Sequence, residues 1–159
     1  MIKKVLLGLV AVIAIILVIA SFQSDDLNVT RSATIAAPPE ALFKVVNDFR
    51  QWDAWSPWSK LDPNMKKSLE GPPEGVGAVY RWSGNNEVGE GSTRLIESKP
   101  NEKIGMKLEF VRPFAGTSDV QFTFVPEGAG TKVTWSMQSK KPFIGKLMGM
   151  FMDCEKMCG

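Results

Sequence analysis

The sequence predicts an α+β domain, a curved antiparallel sheet with its helices gathered on one face, carried behind an N-terminal membrane-spanning helix. Three observations lead there. Residues 5–22 are apolar or small without a single charge, near the lower limit of length for a helix that crosses a bilayer. Between residues 66 and 138, short stretches of period-two alternation follow one another, separated by Gly, Pro and Asn turns, as in an antiparallel meander. Helical periodicity appears only before this run, at 38–49, and after it, at 144–157, so helices and strands are segregated along the chain.

The first segment admits two readings, a cleaved secretory signal or a retained anchor. A signal peptide has a shorter apolar core and a small-x-small cleavage site. Here Ala20-Ser21-Phe22 puts a bulky ring in that slot, so the anchor is the preferred reading. A buried core helix fits less well, because nothing polar marks a solvent face. Lys3 and Lys4 precede the segment and Asp25 and Asp26 follow it. By the positive-inside rule the two lysines hold the N-terminus in the cytoplasm, which puts the remainder in a periplasm or outside the cell. The expected organisation is a single-pass anchor with short flanks at 1–26 and one domain at 27–159.

Without Lys3 and Lys4 the chain keeps 17 basic and 17 acidic residues. A nucleic-acid binder shows a basic excess and a clustered patch; Lys66-Lys67 and Lys140-Lys141 are isolated pairs, so nucleic acid is not an expected partner. The two cysteines, Cys154 and Cys158, are too few and too close for a disulfide framework, and they read as small packing residues. The chain has no histidine to complete a metal-ligand set, and no metal or other cofactor is expected. Asn28-Val29-Thr30 is a formal glycosylation sequon, read here as a chance occurrence.

The elements follow in order. Residues 28–35 set Val29, Arg31, Ala33 and Ile35 against Asn28, Thr30, Ser32 and Thr34, a first strand. Pro38-Pro39-Glu40 starts a helix, with proline in the first turn and an early acid. Ala41, Leu42, Val45, Val46 and Phe49 form its buried stripe, and it ends near Asp48. Trp52, Trp55 and Trp58 then put three of the five tryptophans into seven positions, broken by Pro57. Such density is typical of one end of a concave apolar site. Strands are expected at 66–70, 76–83, 88–98, 103–110, 118–125 and 131–138, with a hairpin turn at 84–87. A final amphipathic helix at 144–157 carries Leu147, Met148, Phe151 and Met152 on one side.

Ala41-Leu42-Phe43, then Val46-Asn47-Asp48-Phe49, then Trp52 and Trp55-Ser56-Pro57-Trp58 resemble the first helix and following turn of the START-like (SRPBCC) superfamily. These are the helix-grip proteins labelled polyketide cyclase/dehydrase and lipid-transport domains. The resemblance covers residues 30–157. It implies a curved antiparallel sheet wrapped around a C-terminal helix, with a cavity between them, and it leaves the ligand open. One departure stands out. In that family the final helix is long, whereas 144–157 is only about 21 Å at the standard rise. The expectation is a truncated helix missing two or three turns; the other possibility is an unusually open cavity.

Period two places Ala78, Tyr80 and Trp82, with Gly89, Gly91, Thr93 and Leu95 across from them, on the face toward that helix. Ile104, Met106, Leu108 and Phe110 join them, then Val120, Phe122 and Phe124, then Val133, Trp135 and Met137. Large aromatics opposite glycines leave room for a ligand. The candidate ligand contacts are Trp55, Trp58, Tyr80, Trp82, Phe110, Trp135, Met148 and Phe151. Arg112, at a strand end, could meet an anionic headgroup. A well-filled core is the plainer account of any one of them, and a solvated surface residue the plainer account of Arg112. The pocket reading rests on the ensemble. Chemistry is poorly provided for: the commonest general base is missing, as are Gly-x-Ser-x-Gly, Walker and Rossmann glycine patterns. No catalytic residue is assigned. The favoured function is membrane-tethered binding or transfer of an apolar ligand, a lipid or polycyclic aromatic. The alternative implied by the resemblance is an aromatase/cyclase or dehydratase using little beyond a shaped cavity and Tyr80 or Arg112. A third is an envelope protein acting through protein contacts.

Overall fold

The alternating stretches become strands because each presents one apolar row to an interior and one polar row to water. In the computed structural model, which describes residues 1–113 and 115–140, these are β1 (Asp26–Ile35), β2 (Lys66–Glu70), β3 (Val79–Ser83), β4 (Glu90–Lys99), β5 (Lys103–Arg112), β6 (Gly116–Glu127) and β7 (Gly130–Lys140). They form one seven-stranded sheet in the order β1-β7-β6-β5-β4-β3-β2. From β2 to β7 each strand pairs antiparallel with the next. This is the expected α+β helix-grip sheet, with β1 beside β7.

The chain divides into two units, Met1–Leu27 with Lys140 in the described part of the first, and Asn28–Ser139 in the second. The first is essentially α1 (Ile2–Phe22), 21 residues long and apolar enough to cross a membrane. At the standard rise it measures about 32 Å, against about 30 Å of bilayer hydrocarbon.

In the second unit, Leu95, Ile104 and Met106 are fully buried on the inner face of β4 and β5. α2 (Pro39–Asn47) starts at Pro38 and is capped at Asp48. Its buried stripe differs from the expected one: Phe43, Val46 and Asn47 are buried and Ala41 is exposed. Phe43 sets the rotation, meeting Phe124 of β6 edge-on at 5.9 Å. The stripe also includes a polar member, because the Asn47 side-chain oxygen accepts from Ser98 Oγ at 2.9 Å.

β3 starts later than residue 76. Gly75 and Gly77 adopt φ of 80° and 95°, and the Ala78 amide donates to the Gly75 carbonyl at 3.2 Å. Residues 75–78 are therefore a turn, in a backbone region that glycine reaches without steric cost. The helix expected at 144–157, with Met148 and Phe151, lies outside the described residues.

Candidate functional site

The site begins where α2 ends. The Asp48 carboxylate accepts from the Arg50 amide at 3.0 Å, from Arg50 Nε at 2.8 Å and from Nη2 at 2.7 Å. This caps a 3₁₀ turn at Phe49–Gln51, which runs into α3 (Trp52–Trp55). The Arg50 hydrogen bond holds the Asp48 carboxyl below the usual aspartate range, outweighing the opposing effect of burial.

Phe49, Trp52 and Trp55 are three apart, so consecutive helical turns bring them to one face. Ring centroids are 4.7 Å apart for Phe49–Trp52 and 5.4 Å for Trp52–Trp55. Ser56 then leaves helical geometry, with ψ 124°, and Pro57 begins α4 (Trp58–Leu61) in a new direction. That break turns Trp58 outward, to 47% exposure. Asp53 fastens the turn to the sheet, accepting from Lys67 Nζ of β2 at 2.6 Å and from Ser59 Oγ at 3.0 Å. The Lys67 contact lowers the Asp53 pKa.

The sheet supplies the opposite wall. Tyr80 is tilted against Phe49 at 6.0 Å and against Trp52 at 5.8 Å. It stacks on Trp82 at 6.2 Å with 28° between the planes, and Trp82 meets Phe110 edge-on at 5.9 Å. At the other end Trp55 meets Phe122 edge-on at 6.4 Å. Six aromatic residues thus run without interruption from Phe110 through Trp82, Tyr80, Trp52 and Trp55 to Phe122, with Phe49 against the middle. Trp135 of β7 is the register partner of Phe122 and half-buried.

Trp82, Gly91 and Phe110 occupy one row across β3, β4 and β5. A Cβ built on Gly91 would overlap the Glu109 carbonyl oxygen and stand 2.8 and 2.9 Å from Cζ2 and Cη2 of Trp82. The room expected opposite this glycine is therefore occupied by the Trp82 indole itself. Arg112, in register with Glu90 across an irregularity between Glu90 and Gly91, turns its guanidinium to Glu90 and Ser83. It pairs with Glu90 at 2.7 Å and is exposed.

Of the sequence candidates, Trp55, Tyr80, Trp82 and Phe110 meet in one aromatic run, with Trp135 registered beside its end. Trp58 and Arg112 stand apart from it. Met148 and Phe151 lie outside the described residues. Phe49, Trp52 and Phe122 are not among the candidate ligand contacts, although the sequence puts Phe49 in the helix stripe, Trp52 in the tryptophan segment and Phe122 on the inner face of the sheet. Burial pushes the Tyr80 phenol up to about 12, with a smaller contribution from the Asp53 charge, so at neutral pH it is a proton donor and not a base. Among the described residues, no group of three or more His, Cys, Asp and Glu side chains could hold a metal ion.

A family model described as "Polyketide cyclase / dehydrase and lipid transport" matches residues 26–153. The chain belongs to this family. No curated protein matches it in sequence. Among solved structures, the family member is similar to the Mll3558 protein of Rhizobium loti, with TM-score 0.58, 17% identity, and coverage of 83% of this chain and 92% of that one. It is similar to protein MLL2253 of Mesorhizobium loti, with TM-score 0.56, 20% identity, and coverage of 82% and 93%. Major latex-like protein 151 of Panax ginseng gives TM-score 0.54 at 13% identity, covering 84% and 97%. At these identities the structures support the helix-grip fold of the family.

Proposed function

We propose that this polyketide cyclase/lipid-transport family member is a membrane-tethered module that binds or transfers an apolar ligand, a lipid or a polycyclic aromatic. The observation that carries the reading is the aromatic run, in which Trp55 on the helical turn and Tyr80, Trp82 and Phe110 on the sheet wall belong to one chain of ring contacts through Trp52. Aromatic faces in a concave setting, with few polar groups, suit ligands recognised by area and shape. Trp135 extends that wall in the proposal. Met148 and Phe151 enter it from the sequence alone, and Arg112 and Trp58 would act only at its margin. α1 is the tether, with Lys3 and Lys4 on the cytoplasmic side and the domain on the other.

The test is native mass spectrometry of the full chain released from lipid nanodiscs, followed by titration with fluorene and palmitate. A retained apolar mass or saturable binding is the expected result. A folded protein that is empty and binds neither probe would remove the reading.

Catalysis has one favouring observation, a buried tyrosine kept protonated beside the aromatic wall. A cyclase or dehydratase would use that phenol as a proton donor. Loss of turnover in Tyr80→Phe, with ligand retention unchanged, would favour the enzyme.

A further inference from the structure

The indole N–H groups along the aromatic run are not equivalent. Trp52 Nε1 donates to the Val46 carbonyl at 3.0 Å, and Trp82 Nε1 to the Val88 carbonyl at 2.9 Å. Trp55 Nε1 is buried and has no hydrogen-bond partner among the described residues. It is the one buried side-chain polar atom there left in this state. A buried donor without an acceptor costs about 1–3 kcal/mol, and folded proteins retain few of them. The rings around Trp55 are Trp52 at 5.4 Å and Phe122 at 6.4 Å. They offer π faces, which are second-order acceptors at best.

Two other indoles of the run have main-chain acceptors; at Trp55 the described residues supply none. We propose that Trp55 Nε1 is the polar reading point of the site, and that the ligand is an apolar skeleton bearing an acceptor oxygen, such as a carbonyl, ester or carboxyl. This rests on the apolar-ligand reading above and narrows it. The empty protein carries the cost of the unpaired donor. A ligand with a placed oxygen relieves that cost, and the matching hydrocarbon leaves it in place. Sites with a buried polar group discriminate in this way against analogues that lack its partner. About 1.4 kcal/mol corresponds to tenfold in affinity, so a preference of roughly tenfold or more is expected.

The experiment uses the full chain in nanodiscs, with empty nanodiscs correcting for partition, and two probe pairs: fluorene with fluorenone, and hexadecane with methyl palmitate. At least one oxygenated probe should bind about tenfold more tightly than its hydrocarbon. It should also move the Trp55 indole proton downfield in a nitrogen-15 TROSY spectrum, the resonance being assigned by its loss in Trp55→Phe. Replacing Trp55 with benzothienylalanine keeps the bicyclic shape and removes the N–H. That variant should lose the preference for the oxygenated member of each pair. Equal affinities within both pairs, with hydrocarbon binding intact, would overturn the proposal and leave the apolar-ligand reading standing. A preference that survives in the benzothienylalanine protein would overturn it too. Absence of binding by all four probes would remove both.

Discussion

Gly91→Ala tests what seats Trp82 at the end of the aromatic run. The new methyl would stand 2.8 and 2.9 Å from two indole carbons and would overlap the Glu109 carbonyl oxygen. Carbon pairs settle at about 3.5–4.0 Å, so the ring or strand β4 must give way by about 1 Å. Overpacking of this kind costs about 1–3 kcal/mol. Opposing it, alanine removes freedom from the unfolded chain, worth about 0.4–1 kcal/mol where the backbone tolerates it. Gly91 lies outside the positive-φ region, so that gain applies in full. The clash still wins, by about 1–2 kcal/mol, or a fall in Tm of roughly 4–8 °C for a unit of this size. The assay is thermal and urea unfolding, with near-ultraviolet circular dichroism following the Tyr80–Trp82 stack. A Trp82→Phe background separates the two clashes. The ring contribution should vanish while the backbone overlap remains, a coupling of about 0.5–1.5 kcal/mol. A Tm unchanged or raised by Gly91→Ala would show that neither contact is tight in the folded protein. Equal costs in the two backgrounds would show that the glycine serves the strand pairing and not the indole.

The remaining predictions concern titrating groups. Asp48→Asn should destabilise the fold by about 1–2 kcal/mol at neutral pH, since it weakens a helical cap and the paired Arg50 contacts. The Asp48 carboxyl binds its proton less tightly folded than unfolded. Its contribution is therefore present above about pH 4 and lost as pH falls through the lowered folded value. Urea midpoints of wild type and variant should converge in acid; a constant gap would contradict the assignment. Tyr80 is the chain's sole tyrosine, so tyrosinate absorbance reads it alone and should show ionisation near 12. The phenol holds its proton more tightly folded, so its stabilising effect is whole below pH 10 and is lost between 10 and about 12. Titration near the ordinary value of 10 in the folded protein would show the ring to be solvated.

The sheet was legible because period two is a local property. Tyr80 and Trp82, Ile104 and Met106, and Phe122 and Phe124 each fall on the face their alternation assigned. The α2 stripe was less legible. Phe43 found a partner in Phe124, some eighty positions away in the chain, and Asn47 is buried through a hydrogen bond to Ser98. Neither tertiary partner is written into the helix. The tryptophan segment was half legible. Density marked it as special, but which indoles turn inward depends on the break after Ser56. That break faces Trp58 outward and leaves Trp52 at the centre. The room inferred opposite Gly91 was misjudged because a glycine in a strand admits any close neighbour, and here the neighbour was Trp82 from the adjacent strand.

The wall that carries Trp52 and Trp55 is tied by Asp53 to Lys67, and Lys67 belongs to β2, at one end of the sheet. All five β2 residues are exposed, and among the described residues the strand is bonded on one side only, to β3. Peripheral strands open at lower free energy than interior ones. Brief release of β2 would free Asp53 together with the indoles on either side of it, while β4, β5 and β6 stay paired. On the proposed ligand reading, entry to the aromatic wall would then need no dedicated lid. Its rate would be read in the amide exchange of β2, residues 66–70, ahead of every other strand on that side.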